Sequence, residues 1–424
     1  MSFSKLGLNA PLVSALTEQG YTKPTPVQEA TIEAAIAGQD VMASAQTGTG
    51  KTAAFTLPIL QGLSAFNRKG RAPRALILTP TRELAAQVLS SVETYGRHLP
   101  HRALPVYGGV KIRPQIDQLK RGVDVVVATP GRLIDLCQQK AIDLRHIEVL
   151  VLDEADRMLD MGFIHAIRDI QSRLPSRRQS LMFSATFSRE IRELAKSMLQ
   201  SPIEVDVAPR RNTTAESVEQ CVIPIDKKRK AEALIRLYDI HGGIQSLVFT
   251  RTKHGANKLV KVLKKSGIRA EAIHGNKSQS HRTRVLGDFK NDRLTVLVAT
   301  DIASRGLDIS ELPLVINYEL PQVPEDYVHR IGRTGRAGRD GFALSLVCAD
   351  EASQLHGIEK LTGNAITREL LEDFEPEHQV PERPRRGGEN SPRRNGGKNR
   401  QRDNEKSRQQ KRRPRRRNRQ RKAA

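Results

Sequence analysis

Residues 153–156 read Asp-Glu-Ala-Asp and stand directly after the apolar run 149–152. Earlier in the chain, residues 45–52 read AQTGTGKT. A glycine-rich turn ending in Gly-Lys-Thr, with an acidic pair at the end of a buried strand, is the equipment of an ATPase. Gly48 and Gly50 let the backbone bend so that its amides face phosphate oxygens. Lys51 would reach the β- and γ-phosphates, and the Thr52 hydroxyl would meet Mg²⁺. Asp153 would hold the same ion, and Glu154 would orient the attacking water. Ala45 stands where the usual phosphate-loop pattern has its first Gly. Gln46, Thr47 and Thr49 complete the candidate loop.

The elements that must position these residues follow from the pattern of apolar runs. Runs at 75–78, 123–128, 149–152 and 180–183 alternate with stretches of helical period. A second series covers 220–225, 246–249, 270–273, 294–299, 314–317 and 343–347. Strands alternating with helices imply parallel α/β sheets, one in each half. We expect a first domain at 1–208, a linker at 209–217 and a second domain at 218–374. Residues 375–424 are nearly free of apolar side chains and should form a disordered basic tail.

Net charge is +23, and it is unevenly spread. Residues 382–424 hold 19 Lys/Arg against 4 Asp/Glu, a density that suits contact with a polyanion. The three cysteines are far apart and fit no zinc spacing, which favours a reducing cytoplasm. No apolar run approaches a membrane span, and the N-terminus shows no basic region followed by an apolar core.

With the motifs in order, the chain resembles a DEAD-box RNA helicase of superfamily two over about residues 1–372. That resemblance implies two tandem RecA-like domains. Phe3 and the segment 21–28, YTKPTPVQ, resemble the adenine-reading Q motif. Gln28 would hydrogen-bond the adenine edge and Tyr21 would stack on its face; an amide offers both donor and acceptor and so suits ATP over GTP. Ser184-Ala-Thr186 resembles the coupling motif, whose hydroxyls would bond the carboxylates of 153–156, Asp156 among them. HRIGRTGR at 329–336 resembles the arginine-finger motif. Arg333 and Arg336 would supply positive charge at the γ-phosphate, and His329 would link to the coupling residues. Asp308 would contact the ribose. The catalytic site would then be split between the domains, and turnover would require closure.

The resemblance also implies an RNA track. Pro80, Thr81, Arg82, Gly108, Gly109, Thr129, Pro130, Gly131 and Arg132 would contribute from the first domain. Arg251, Gln279, Arg282, Thr300 and Asp301 would complete it on the second. Such contacts to the backbone position a strand without reading its sequence. The segments 247–257, 272–279 and 323–339 look most like the bacterial RhlE-type subgroup. The expected activity is RNA-stimulated ATP hydrolysis coupled to local, non-processive duplex unwinding or ribonucleoprotein remodelling. An ATP-gated RNA clamp is the alternative. Ribosome assembly or RNA turnover is the suggested setting, with ribosomal particles or RNA-degradation machinery as partners and no membrane.

Overall fold

The apolar runs become short strands because their β-branched and aliphatic side chains are buried on both faces at once. The structure is a computed structural model. It describes residues 2–45, 48–65, 72–207, 218–304, 309, 312–335 and 341–381. The expected linker, the tail from 382 onward, and Gln46, Thr47, Asp308 and Arg336 lie outside the described residues.

The first sheet contains β1 (Val41–Ser44), β2 (Ala75–Leu78), β3 (Ala103–Val106), β4 (Val125–Ala128), β5 (Val149–Leu152), β6 (Gln179–Ser184) and β7 (Ile203–Asp206). Their order is β3-β4-β2-β5-β6-β1-β7, and every pairing is parallel. Alternation along each strand sends side chains to opposite faces. Val41, Ala43 and Ile77 join one core with the helices Lys51–Ala65 and Arg82–Tyr95. Met42, Leu76 and Leu78 join the other, with the helices Pro130–Gln138 and Arg189–Met198.

The second sheet contains β8 (Val218–Pro224), β9 (Ser246–Phe249), β10 (Ala270–Ile273), β11 (Val296–Ala299), β12 (Leu314–Asn317), β13 (Gly341–Val347) and β14 (Thr367–Arg368). Its order is β10-β11-β9-β12-β13-β8-β14. Counted from the first strand of each half, this is the order of the first sheet. The two halves are tandem RecA-like domains built on one topology. In both, the helix after the first strand opens on a lysine: Lys51 in one and Lys230 in the other. Lys230 is buried, and its Nζ donates to Tyr318 O at 3.0 Å, Leu346 O at 2.7 Å and the Glu351 carboxylate.

Two points differ from expectation. β3, β7, β10 and β14 lie at sheet edges; β3 contains Pro105 and β7 is largely exposed, so neither of these two shows a buried apolar run. The packing of the second half also continues past Phe374. Val380, expected in the tail, is 6% exposed. Its carbonyl accepts from Arg368 Nη1 at 2.9 Å, and Glu377 N donates to Asp226 at 2.9 Å.

Candidate active site

The carboxyl ends of β1 and β5 face the same cavity, which is where parallel sheets hold ligands. It measures about 650 Å³ and is lined by Gln28, Lys51, Thr52, Asp153, Glu154 and Arg333 among others. Phe3, Tyr21, Gly48 and Gly50 also reach it. Arg333 comes from the second half, so the cavity is shared between the halves. Arg333 is 5% exposed, and its carbonyl accepts from Leu312 N at 3.1 Å.

The loop after β1 is shaped for close approach. Gly48 and Gly50 have φ of 89° and 92°, a region in which side chains are strained. A Cβ on Gly50 would come within 2.4 Å of Gln28 Nε2. Ala45 is not in that region. It is fully buried, and its N–H continues the ladder to Ser184 O at 3.0 Å, so a glycine is not needed there. Gln28 ties the loop to the helix Pro26–Ile36: its Oε1 accepts from Thr25 N at 3.0 Å and its Nε2 donates to Gly50 O at 3.1 Å. One lone pair and one N–H of the amide remain for a base edge. Tyr21 is 50% exposed at the cavity mouth, edge-on to Tyr95 with ring centroids 6.4 Å apart.

Lys51 and Asp153 are 6% and 2% exposed. Lys51 Nζ and Asp153 Oδ1 are buried without a hydrogen-bond partner. Such orphans are rare and costly unless a ligand satisfies them. Burial pushes the Asp153 carboxyl up; the Lys51 ammonium pulls it back and Glu154 adds to the rise. A buried ammonium, a buried carboxylate oxygen and the Thr52 hydroxyl form a donor set that fits a triphosphate with Mg²⁺.

Glu154 adopts φ 53° and ψ 52°, a left-handed conformation that costs a non-glycine residue roughly 1–2 kcal/mol. The turn aims its carboxylate inward, where Arg157 Nη1 donates to Oε2 at 2.9 Å. Both side chains are buried. Sequence reasoning passed over Arg157, although its spacing of three from Glu154 is the signal of a helical pair.

The coupling contact differs in kind from the expected one. Asp156 Oδ2 accepts from the backbone N–H of Ala185 at 3.0 Å. Ser184 Oγ lies 3.4 Å from its own turn's Thr186 N. An amide bridges the two motifs where hydroxyls were expected. The contact seen for His329 is within its own helix, where Nδ1 lies 3.9 Å from Asp326.

Three residues expected on the RNA track have other partners. Gln279 Nε2 donates to Glu83 Oε1 at 2.9 Å, and Arg282 Nη2 reaches Glu83 Oε2 at 3.0 Å. This cluster joins the two halves and is buried. Asp301 is held by Arg330, whose Nε and Nη2 donate to its two oxygens at 2.5 and 2.8 Å. Arg330 also bonds Asn317 and Glu319 O and stacks over Phe249 at 4.8 Å. Its position inside the arginine-finger motif concealed a structural role.

The other track candidates range from buried (Pro80, Thr81, Thr129, Pro130) to exposed (Gly109, Gly131, Arg251). Thr81 Oγ1 accepts from Leu84 N at 3.2 Å and caps the helix Arg82–Tyr95. Pro80 is buried beside it. Arg82 lies against Gly109, where a Cβ would fall 1.9 Å from Nη1, and beside Gly108. Arg132 Nη2 donates to Val110 O at 3.1 Å. Thr129, Pro130 and Gly131 open the helix Pro130–Gln138, Gly131 exposed at its start. Arg251 is fixed by Glu319, which accepts from its N–H at 2.7 Å, and by Glu351, 3.0 Å from Nη2. Thr300 is half-buried after β11.

A RecA-like domain carrying a phosphate loop, with its cavity completed by an arginine from a second RecA-like domain, defines a nucleotide-driven two-domain motor. The family model described as DEAD/DEAH box helicase matches residues 25–194, and that of the helicase conserved C-terminal domain matches 229–338. The chain is 44% identical to the DEAD-box ATP-dependent RNA helicase CshA of Geobacillus kaustophilus, over 87% of this chain and 78% of that protein. It is 44% identical to RhpA of Helicobacter pylori, over 88% of this chain and 74% of that protein. Saccharomyces cerevisiae Dbp5 bound to RNA and ADP BeF3 superposes with a TM-score of 0.77 at 32% identity, covering 88% of this chain and 96% of that chain. The chain belongs to the DEAD-box ATP-dependent RNA helicases, enzymes driven by ATP hydrolysis.

Proposed function

We propose that ATP draws the two domains together around one RNA strand and that hydrolysis releases them, separating short duplexes locally or remodelling ribonucleoproteins. The observation that carries this reading is Arg333 lining the same cavity as Lys51, Asp153 and Glu154. In it, Lys51 holds the β- and γ-phosphates, and Thr52 and Asp153 hold Mg²⁺. The ion, when bound, neutralises charge on the transferring phosphate. Glu154, steadied by Arg157, orients water and takes its proton. Arg333 supplies positive charge in the transition state, joined by Arg336. Gln28 and Tyr21 hold adenine, and Asp308 the ribose. The amide bridge between Asp156 and Ala185 links that chemistry to the strand end at Ser184.

Arg82, Gly108, Gly109, Thr129, Gly131, Arg132, Arg251 and Thr300 hold the RNA backbone without reading its sequence. Segments 247–257, 272–279 and 323–339 support an RhlE-type subgroup. We place the protein in the cytoplasm, acting in ribosome assembly or RNA turnover on ribosomal particles or with the degradation machinery. Three free cysteines support the reducing compartment. No described helix is long and apolar enough to cross a membrane.

The test is ATP hydrolysis with and without RNA of arbitrary sequence. RNA should stimulate it strongly. Glu154→Gln should bind ATP, stop turnover and stay locked on RNA, whereas Lys51→Ala should lose nucleotide affinity. A high rate in a nuclease-treated preparation, or equal loss of ATP affinity in both variants, refutes the scheme.

A further inference from the structure

The helix Lys253–Lys265 begins beside Arg251 and is capped by Thr252, whose Oγ1 accepts from Gly255 N at 3.0 Å. It buries Ala256, Leu259, Val260 and Leu263. At about 100° per residue these side chains share one face, and His254, Lys258, Lys261 and Lys265 form a row along the opposite one. Arg251 extends the row at its start. All five are exposed. Between Arg251 and Ala270 the chain has no Asp or Glu.

Positive charges spaced three and four apart on a helix repel one another. The flanking Lys264 pairs with Glu271, and Lys253 donates to Asn276 at 3.2 Å. Lys258, Lys261 and Lys265 have no partner among the described residues. The helix dipole favours cations only in its last turn, so Lys258 gains nothing from it. The Arg-rich segment 382–424 has the same sign as the row.

We propose that this row is a second RNA-binding surface, a track for the phosphate backbone of the RNA flanking the strand held at Arg251. The inference rests on the helicase reading, and specifically on Arg251 as an RNA contact. Continuity with Arg251 favours RNA over an acidic protein as the occupant. The row spans roughly 20 Å. Lysines on such a track act as point charges and impose no sequence preference.

The test is the triple variant Lys258→Gln, Lys261→Gln, Lys265→Gln in the full chain. Glutamine retains helix propensity close to that of lysine, and matching circular dichroism confirms the fold. Affinity is measured across a salt series for a short single strand and for the same strand extended by a duplex arm. On the extended RNA the slope of log K against log salt should become shallower by about 2–3, three phosphates at roughly 0.7–0.9 each. The short strand is the reference, on which the two proteins should coincide. Coincident lines on both RNAs overturn the proposal and leave the face to an acidic protein. Equal flattening on both RNAs overturns it too, because the charge is then undirected. An unmodified protein that binds neither RNA overturns the helicase reading as well.

Discussion

Replacing Glu83 with alanine removes the acceptor that Gln279 and Arg282 share across the two domains. Arg282 is 9% and Glu83 7% exposed by side chain, and the ion pair measures 3.0 Å. Stranding one partner of a buried pair costs ~3–5 kcal/mol when the charge has no escape. On the proposed cycle Arg282 would regain water whenever the domains part, so the cost would fall on the closed arrangement alone. A hydrogen bond to a charged group contributes ~1.5–3 kcal/mol, and we take about 2 kcal/mol for the cluster. That corresponds to roughly a thirtyfold loss in the closure equilibrium. RNA-stimulated ATP hydrolysis at limiting RNA should fall by about that factor. Thermal stability should hold within about 2 °C, because each domain keeps its own core. Glu83→Ala combined with Arg282→Ala should cost less than the sum of the single changes, since the two act through one contact. A large drop in melting temperature with RNA stimulation intact would show that the cluster serves folding and not closure.

Ending the chain at residue 381 should leave the melting temperature unchanged, whereas ending it at 375 should lower it by about 4 °C, because Val380 burial contributes ~2 kcal/mol. The 381 form should also bind RNA with a shallower salt dependence, by ~0.7 for each phosphate that the lost segment had neutralised; calorimetry and a salt series check both. Burial pushes the Cys221 thiol up to about 12 and raises Cys137 and Cys348, so alkylation at pH 8 should be slow at all three. Mass spectrometry should find the half-buried Cys137 labelled first, and rapid labelling of Cys221 in the native protein would contradict the packing around β8.

Strands buried along most of their length were legible, the central ones as unbroken apolar runs and β10 despite Glu271. The limits 75–78, 149–152, 246–249, 270–273 and 314–317 coincide with those of β2, β5, β9, β10 and β12. Of the edge strands only β10, with three of its four residues buried, was legible; β7 has only Val205 buried and β14 is two residues long. β1 escaped for another reason: Val-Met-Ala-Ser carries one β-branched residue. Within the site, side chains close together in sequence were legible, as with Lys51 and Thr52 or Asp153 and Glu154. Pairs that meet through the fold were not. Nothing local in PTREL marks Glu83 as the partner of Gln279, and Arg330 looks like one more cation until Asp301 and Asn317 close around it.

The shared strand order gives the chain two copies of one blueprint, and the opening lysines show how the copies diverged. Lys51 keeps its ammonium uncommitted, while Lys230 has surrendered its own to Glu351 and two carbonyls. The second copy therefore has no phosphate seat at that place, and it serves the first as the jaw that brings Arg333. Among the described residues there is one such seat per chain. On the proposed cycle the stroke would then be indivisible: one nucleotide, one grip, one release. No second such seat stands among the described residues to fire while the first resets, so on the proposed cycle the chain would let go of its load between turns.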